Sequence, residues 1–85
     1  MFWFVYIVRG KDGYLYTGIA KDIKKREKEH NVDNRLGAKS LRAKRPVKIV
    51  YFEKYSNQSE ARKREAAIKK WNKKYKIKLI NKGSS

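Results

Sequence analysis

From Phe2 to Val8 every position of the chain is apolar. Alternate residues of a strand face opposite sides. Trp3, Val5 and Ile7 would share one face, and Phe2, Phe4, Tyr6 and Val8 the other. A run apolar on both faces is predicted to be a central strand covered on both sides. A second tyrosine-bearing run, Tyr14 to Ile19, follows across Gly10-Lys11-Asp12-Gly13. Aromatic and β-branched residues favour strands and Asp-Gly favours a tight reversal, so the two runs predict a β-hairpin. Loop length decides its register. A two-residue loop at Asp12-Gly13 would pair Tyr6 with Ile19 and point Tyr6 and Tyr16 to opposite faces, whereas an odd loop or a bulge puts both on one face. A site shared by the two phenols requires the second arrangement, which is the one expected. Gly18, near the end of the second run, marks close approach by another backbone or a ligand.

Beyond the hairpin the pattern changes period. Lys21 to His30 (KDIKKREKEH) is predicted to be helical from propensity and charge pattern. Positions 23, 26, 27 and 30 share the face that ordinarily carries core residues, yet they hold Ile23, Arg26, Glu27 and His30. Two readings stand: a polar surface helix docked by Ile23 alone, or a helix whose Arg26 and His30 look into a cleft. Asn31 to Pro46 is polar and basic, and predicts a loop with one helical turn around Ala38 to Ala43. Val47 to Tyr55 predicts a third strand, ended by Ser56-Asn57-Gln58-Ser59, with Ser59 or Ser56 as the cap of the next helix. Ser59 to about Tyr75 predicts the longest helix, with Ala61, Ile68, Trp71 and Tyr75 as its apolar stripe. Glu65 lies on that stripe, where a carboxylate is costly unless paired or bound to a cation. An exposed Glu65 paired with Lys69 at i, i+4 is the plainer alternative. Lys76 to Ile80 would pack as an edge or a last helical turn, and residues 82–85 should fray. With no repeats and no internal linker, residues 1–81 predict one α+β domain: a small three-stranded, mostly antiparallel sheet flanked by helices.

Composition narrows the function. At 85 residues the chain is near the lower size at which a core holds without staples. It has no cysteine, which excludes disulfides and thiolate metal sites. No apolar run is long enough to cross a bilayer, and the apolar beginning reads as a strand rather than a signal peptide. Lys and Arg number 24 against 8 acids, a formal charge of +16, beside eleven aromatic residues. That balance points to a polyphosphate partner. Arg35, Lys39, Arg42, Lys44 and Arg45 form the densest loop cluster, placed for backbone phosphates. A merely solvated basic surface and an anionic membrane are the competing readings. Ile68, Trp71 and Tyr75 are better used covering the sheet, so no membrane partner is expected.

The ordered set of short motifs resembles the GIY-YIG endonuclease superfamily, and within it a small stand-alone bacterial group. Val5-Tyr6-Ile7 stands at the first tripeptide and Tyr16-Thr17-Gly18 at the second. Arg26 and His30, four apart, resemble the family's helix with an arginine and a following His or Tyr. Gly37-Ala38-Lys39 leading to Arg45-Pro46 resembles a stretch of the stand-alone group, and Glu65 in Ala-x-x-x-Glu-x-x-Ile-Lys matches the metal-binding glutamate. The second motif has Thr17 where the family has isoleucine, and Ile19 stands where repair-type members carry lysine. The resemblance implies cytoplasmic cleavage of phosphodiester bonds with one divalent cation, Mg2+ or Mn2+, on DNA that is structured or single-stranded, as in repair. Glu65 would hold the metal. Tyr6 or Tyr16 would sit by the attacking water, Arg26 would stabilise the phosphate, and His30 would orient or donate a proton. Gly18 would permit close packing beside the second tyrosine, and a late asparagine, Asn81 ahead of Asn72, would join the site. The alternative is a non-catalytic nucleic-acid-binding module acting on DNA or RNA. A separate protein partner for targeting is left open.

Overall fold

The computed structural model describes residues 1–83. Among these the chain forms β1 (Trp3–Arg9), β2 (Leu15–Ala20), α1 (Ile23–Val32), β3 (Lys48–Tyr55), α2 (Gln58–Lys69) and α3 (Lys73–Lys82), with 3₁₀ segments at Lys11–Gly13 and Lys39–Lys44. The fold is α+β. Its antiparallel sheet has the order β2-β1-β3, so the uniformly apolar first run is the central strand, as expected. Tyr6 pairs with Gly18 and Val8 with Tyr16. Arg9 pairs with Leu15, leaving a five-residue loop in which Asp12 (φ 62°) and Gly13 (φ 75°) take left-handed backbone. The odd loop puts both tyrosines on one face.

Each face of β1 builds its own core. On one side Val5 and Ile7 pack with Tyr51, Ala61 and Ile68, flanked by Trp3, Leu15, Ile19, Trp71, Leu79 and Ile80. On the other, Tyr6 and Val8 pack with Ala20, Leu41 and Val47, flanked by Tyr16, Ile23 and Ile49. A bulge at Val50 separates the pairs Ile7–Tyr51 and Val8–Ile49, so β3 serves both cores.

The surface-helix reading of α1 does not hold. His30 is fully buried. Glu27 Oε2 accepts from the Ile49 N–H at 2.6 Å, and Asn31 bonds Val47 twice, accepting from its N–H at 2.7 Å and donating to its carbonyl at 2.9 Å. These side chains stand where a fourth strand would pair, and so satisfy the outer edge of β3. Arg45 closes the far end of α1, donating to the carbonyls of His30 at 2.7 Å and Asp33 at 3.3 Å. Cationic donors are favourable there because the last helical carbonyls lack partners.

Two expectations are corrected in the last third of the chain. The cap of α2 is Asn57, whose Oδ1 accepts from Glu60 N at 2.9 Å, and not Ser56 or Ser59. The long helix ends at Lys69 rather than Tyr75. Lys70 and Trp71 tighten onto Ala67 and Ile68, and Asn72 then caps a separate helix by accepting from Tyr75 N at 3.1 Å. A short polar side chain competes with helix continuation and favours a fresh start. Tyr75 is therefore 54 % exposed instead of covering the sheet, while Leu79 and Ile80 of α3 do so. Lys82 ends α3 and Gly83 caps it. The remainder of the expected frayed tail, Ser84 and Ser85, lies outside the described residues.

Thr17 is 2 % exposed, and its Oγ1 has no hydrogen-bond partner among the described residues. An unpaired buried hydroxyl costs about 1–3 kcal/mol, and an apolar isostere removes that cost. Thr17→Val is expected to stabilise the domain by about 1 kcal/mol, read as a rise in Tm of about 4–8 °C.

Candidate active site

β1 and β2 carry Tyr6 and Tyr16 to the face covered by α1, and α1 brings Arg26 and His30 to the same place. Tyr6 is 1 % exposed, and its ring crosses Gly18 on the neighbouring strand. A Cβ at Gly18 would stand 2.5 Å from Tyr6 Oη and 2.7 Å from Cζ. The close approach expected at Gly18 is thus made chiefly by the first tyrosine, with the Tyr16 ring 3.2 Å from the same point.

His30 ties this cluster to the loop after α1. Its Nδ1 accepts from the Ala38 N–H at 3.0 Å, and its Nε2 lies 2.8 Å from Tyr6 Oη. A neutral imidazole has one donor and one acceptor. With Nδ1 accepting, the proton sits on Nε2 and is donated to Tyr6 Oη, leaving the phenol's own proton directed elsewhere. Burial and then the Arg26 charge push the His30 pKa down to about 4, in keeping with a neutral ring. The edge of Tyr16 meets the same imidazole, with ring centroids 5.5 Å apart and an interplanar angle of 68°.

Burial pushes the Tyr6 phenol up to about 12, against the pull of the Arg26 guanidinium, whose hydrogen bond and charge favour the phenolate. Arg26 is itself held by Glu29 Oε1 at 2.9 Å and the Leu36 carbonyl at 2.6 Å. A hollow beside it, lined by Lys21, Asp22, Lys25 and Glu29, opens the guanidinium to solvent.

Glu65 arrives from α2, which packs on the opposite face of the sheet. Its charge nevertheless reaches Tyr6, raising the phenol's pKa. The link is Lys69, whose Nζ lies 3.3 Å from Glu65 Oε2 and 5.9 Å from the centroid of Tyr16. Because β2 is an edge strand, side chains of α2 can pass around it to the tyrosine face. Glu65 is largely covered, with 20 % of its side chain exposed, and also paired with Lys69, so it combines both readings of that position.

A profile of the GIY-YIG catalytic domain matches residues 2–79. The chain belongs to the GIY-YIG family. A UPF0213 protein of Staphylococcus saprophyticus is 51 % identical over 80 residues, covering 94 % of this chain and 95 % of that one. A UPF0213 protein of Staphylococcus aureus is 49 % identical over 77 residues, covering 91 % and 92 %. The solution NMR structure of a UPF0213 protein of Bacillus halodurans is 32 % identical and superposes with a TM-score of 0.60, covering 95 % of this chain and 84 % of that one. GIY-YIG is a nuclease-type family. Its two tripeptides are here direct cross-strand neighbours, which is why they can share one site although ten residues separate the tyrosines.

Not every residue singled out in the sequence reaches this GIY-YIG centre. Asn81 lines a separate hollow with Arg9, Leu15 and Lys73 beside the hairpin, and Asn72 is the α3 cap. In the basic loop, Arg35, Lys39 and Arg42 are exposed, although Arg42 also donates to the Asn34 carbonyl. Lys44 lies over the Tyr14 ring, 3.8 Å from Asp12, and Arg45 is occupied by the carbonyls that end α1. Three parts of the centre escaped sequence reasoning. Glu29 could have been found from its i, i+3 spacing to Arg26, whereas the Ala38 N–H and the position of Lys69 over Tyr16 have no sequence signal.

Among the described residues no three His, Cys, Asp or Glu side chains gather as a cage, so a metal here would rest on a single carboxylate, for which Glu65 is the candidate. A hard divalent cation that keeps waters and takes phosphate oxygens needs only one or two carboxylates. The donor set therefore fits one such cation.

Two outcomes test this geometry. A folded-state pKa below the unfolded value means the unfolded chain binds the proton more tightly, so stability is present above pH 6.5 and lost as pH falls toward 4. His30 should contribute about 3 kcal/mol to that loss in urea titrations, and His30→Gln should flatten the curve most clearly in the upper part of this window, before most carboxylates titrate. Gly18→Ala should destabilise by about 1–3 kcal/mol through overpacking against Tyr6, with the Tyr6 and His30 ring resonances shifting in NMR spectra.

Proposed function

We propose that this domain is a divalent-cation-dependent endonuclease that hydrolyses phosphodiester bonds in DNA, in single-stranded or structured substrates of the kind met in repair, inside the cytoplasm. One observation carries the reading: two phenols, a guanidinium and a buried imidazole share the face covered by α1, and Lys69 links Glu65 of the far helix to the Tyr16 ring.

Arg26 is the phosphate ligand. Its planar guanidinium matches two phosphate oxygens, and Glu29 with the Leu36 carbonyl orients it before substrate arrives. Tyr6 is a positioned hydroxyl rather than a base. It accepts from His30 Nε2, and a phenol near 12 stays protonated at neutral pH, so it donates its own proton toward the reacting oxygens. His30 fixes that direction and remains neutral. Tyr16, half-buried and in contact with the His30 edge, holds the attacking water. Glu65 holds the cation, which when bound supplies charge stabilisation to the phosphate and the leaving oxygen. The exposed Arg35, Lys39 and Arg42 take backbone phosphates away from the cut.

A second reading, a nucleic-acid-binding module without catalysis, draws on the pairing of Glu65 with Lys69, which neutralises the carboxylate at rest. One assay separates them. Labelled single-stranded, duplex and branched DNA should be cut with Mg2+ or Mn2+ and not with EDTA. Glu65→Ala, Tyr16→Phe and Arg26→Lys should each lower the rate by about 100-fold or more. Cleavage that survives in Glu65→Ala overturns the metal assignment, and tight binding without any cleavage selects the second reading.

A further inference from the structure

After Glu65 the chain carries seven lysines and no acidic residue. Most of them decorate α3, on the opposite side of the sheet from the tyrosine pair. Tyr75, Lys78, Leu79 and Lys82 share one face of α3 and, with Trp71, line a groove of about 430 Å³. Tyr75 is 54 % exposed, and Ile77 nearby is 42 % exposed.

Trp71 is in turn contacted by an ordered cation. The Arg64 guanidinium lies 5.2 Å from the indole ring, and Glu53 holds that guanidinium with two bonds, from Nε at 2.9 Å and Nη2 at 3.0 Å. The Tyr51 and Tyr55 hydroxyls donate to the same carboxylate, the latter at 2.6 Å. With its acceptors filled by four donors, Glu53 fixes Arg64, whose guanidinium then stands against the Trp71 ring. Tyr75, which also lines the groove, carries the Lys78 ammonium 5.5 Å from its ring.

We propose that this groove is a binding site for single-stranded nucleic acid, in which a base stacks against Tyr75 and Trp71 while Lys78 and Lys82 hold the flanking phosphates. Three features point to that occupant. The groove is lined by two aromatic rings, and stacking on a π-face suits any base without selecting its sequence. Lys78 and Lys82 are the charged residues lining the groove, with no carboxylate among them, so an anionic strand gains by lying along it. A purely apolar partner would have to bury those ammonium groups unpaired, which is costly. The site is distinct from the proposed phosphodiester-cleaving centre and would hold an unpaired strand leading to or from it.

The test uses the full chain in EDTA, so that nothing is cut and the result stands apart from the nuclease reading. Fluorescence anisotropy would measure binding of a labelled oligothymidylate, a duplex of equal length and a poly-glutamate peptide. Tyr75→Ala should weaken oligothymidylate binding about tenfold or more and duplex binding less than twofold. Tyr75→Phe should bind as the parent does, because stacking needs the ring and not the hydroxyl. Lys78→Gln with Lys82→Gln should lower the salt slope for the single strand by about one. Thermal melting reads folding, and Tyr75 is exposed enough to be replaced without loss of the fold. Equal weakening on duplex and single strand, no weakening in Tyr75→Ala, or a matching loss of poly-glutamate binding that assigns the groove to an acidic protein would each overturn the proposal.

Discussion

The Tyr6 ring lies across a backbone with no side chain in its way. Gly18 sits opposite Tyr6 in the hairpin, and a single methyl group there would occupy the space of the phenol oxygen. Because the ring can lie flat on β2, its hydroxyl reaches His30, and His30 is pinned in turn by the Ala38 N–H. That chain of contacts joins the hairpin, α1 and the following loop. It buries a histidine in the centre of a small basic domain, where its neutral form is favoured. The same contact decides which proton the phenol receives and which it can offer.

A sheet with two cores divides the work between its faces. One face is closed by α2 and α3 through apolar packing. The other is closed by a helix with little apolar surface, which docks instead through Glu27, His30 and Asn31. A polar interface of this kind is stable only when every member is satisfied, and the bonds to the edge of β3 meet that condition. The arrangement leaves Arg26 half-open beside the buried tyrosine, so a cation and a phenol sit together at low solvent access. The strand order matters as well. With β2 at the margin of the sheet, Glu65 and Lys69 influence the tyrosine face from the opposite helix.

Much of the fold was legible in the residues. The uniformly apolar run had to be central, and the shared site required an odd loop, which the five-residue turn supplies. The late helices were less legible. Asn72 breaks what propensity alone would continue, because its side chain caps a new helix as readily as it sits inside an old one. Within the site, Tyr6, Tyr16, Arg26, His30 and Glu65 were recognisable by residue type and order. Asn81 was drawn into that set by position along the chain and lies elsewhere. Charge alone makes Arg45 look like a phosphate ligand, whereas its donors are turned onto the end of α1.

Alternation, glycine placement and charge are local properties, and they were enough to determine a three-stranded α+β domain, a tyrosine-bearing hairpin and a large positive charge. What the tertiary structure decided was protonation and company: which nitrogen of His30 bears the hydrogen and which cations lie beside which phenol. Those depend on distances between segments far apart in the chain, down to a single backbone N–H at Ala38, and no pattern of residue types records them.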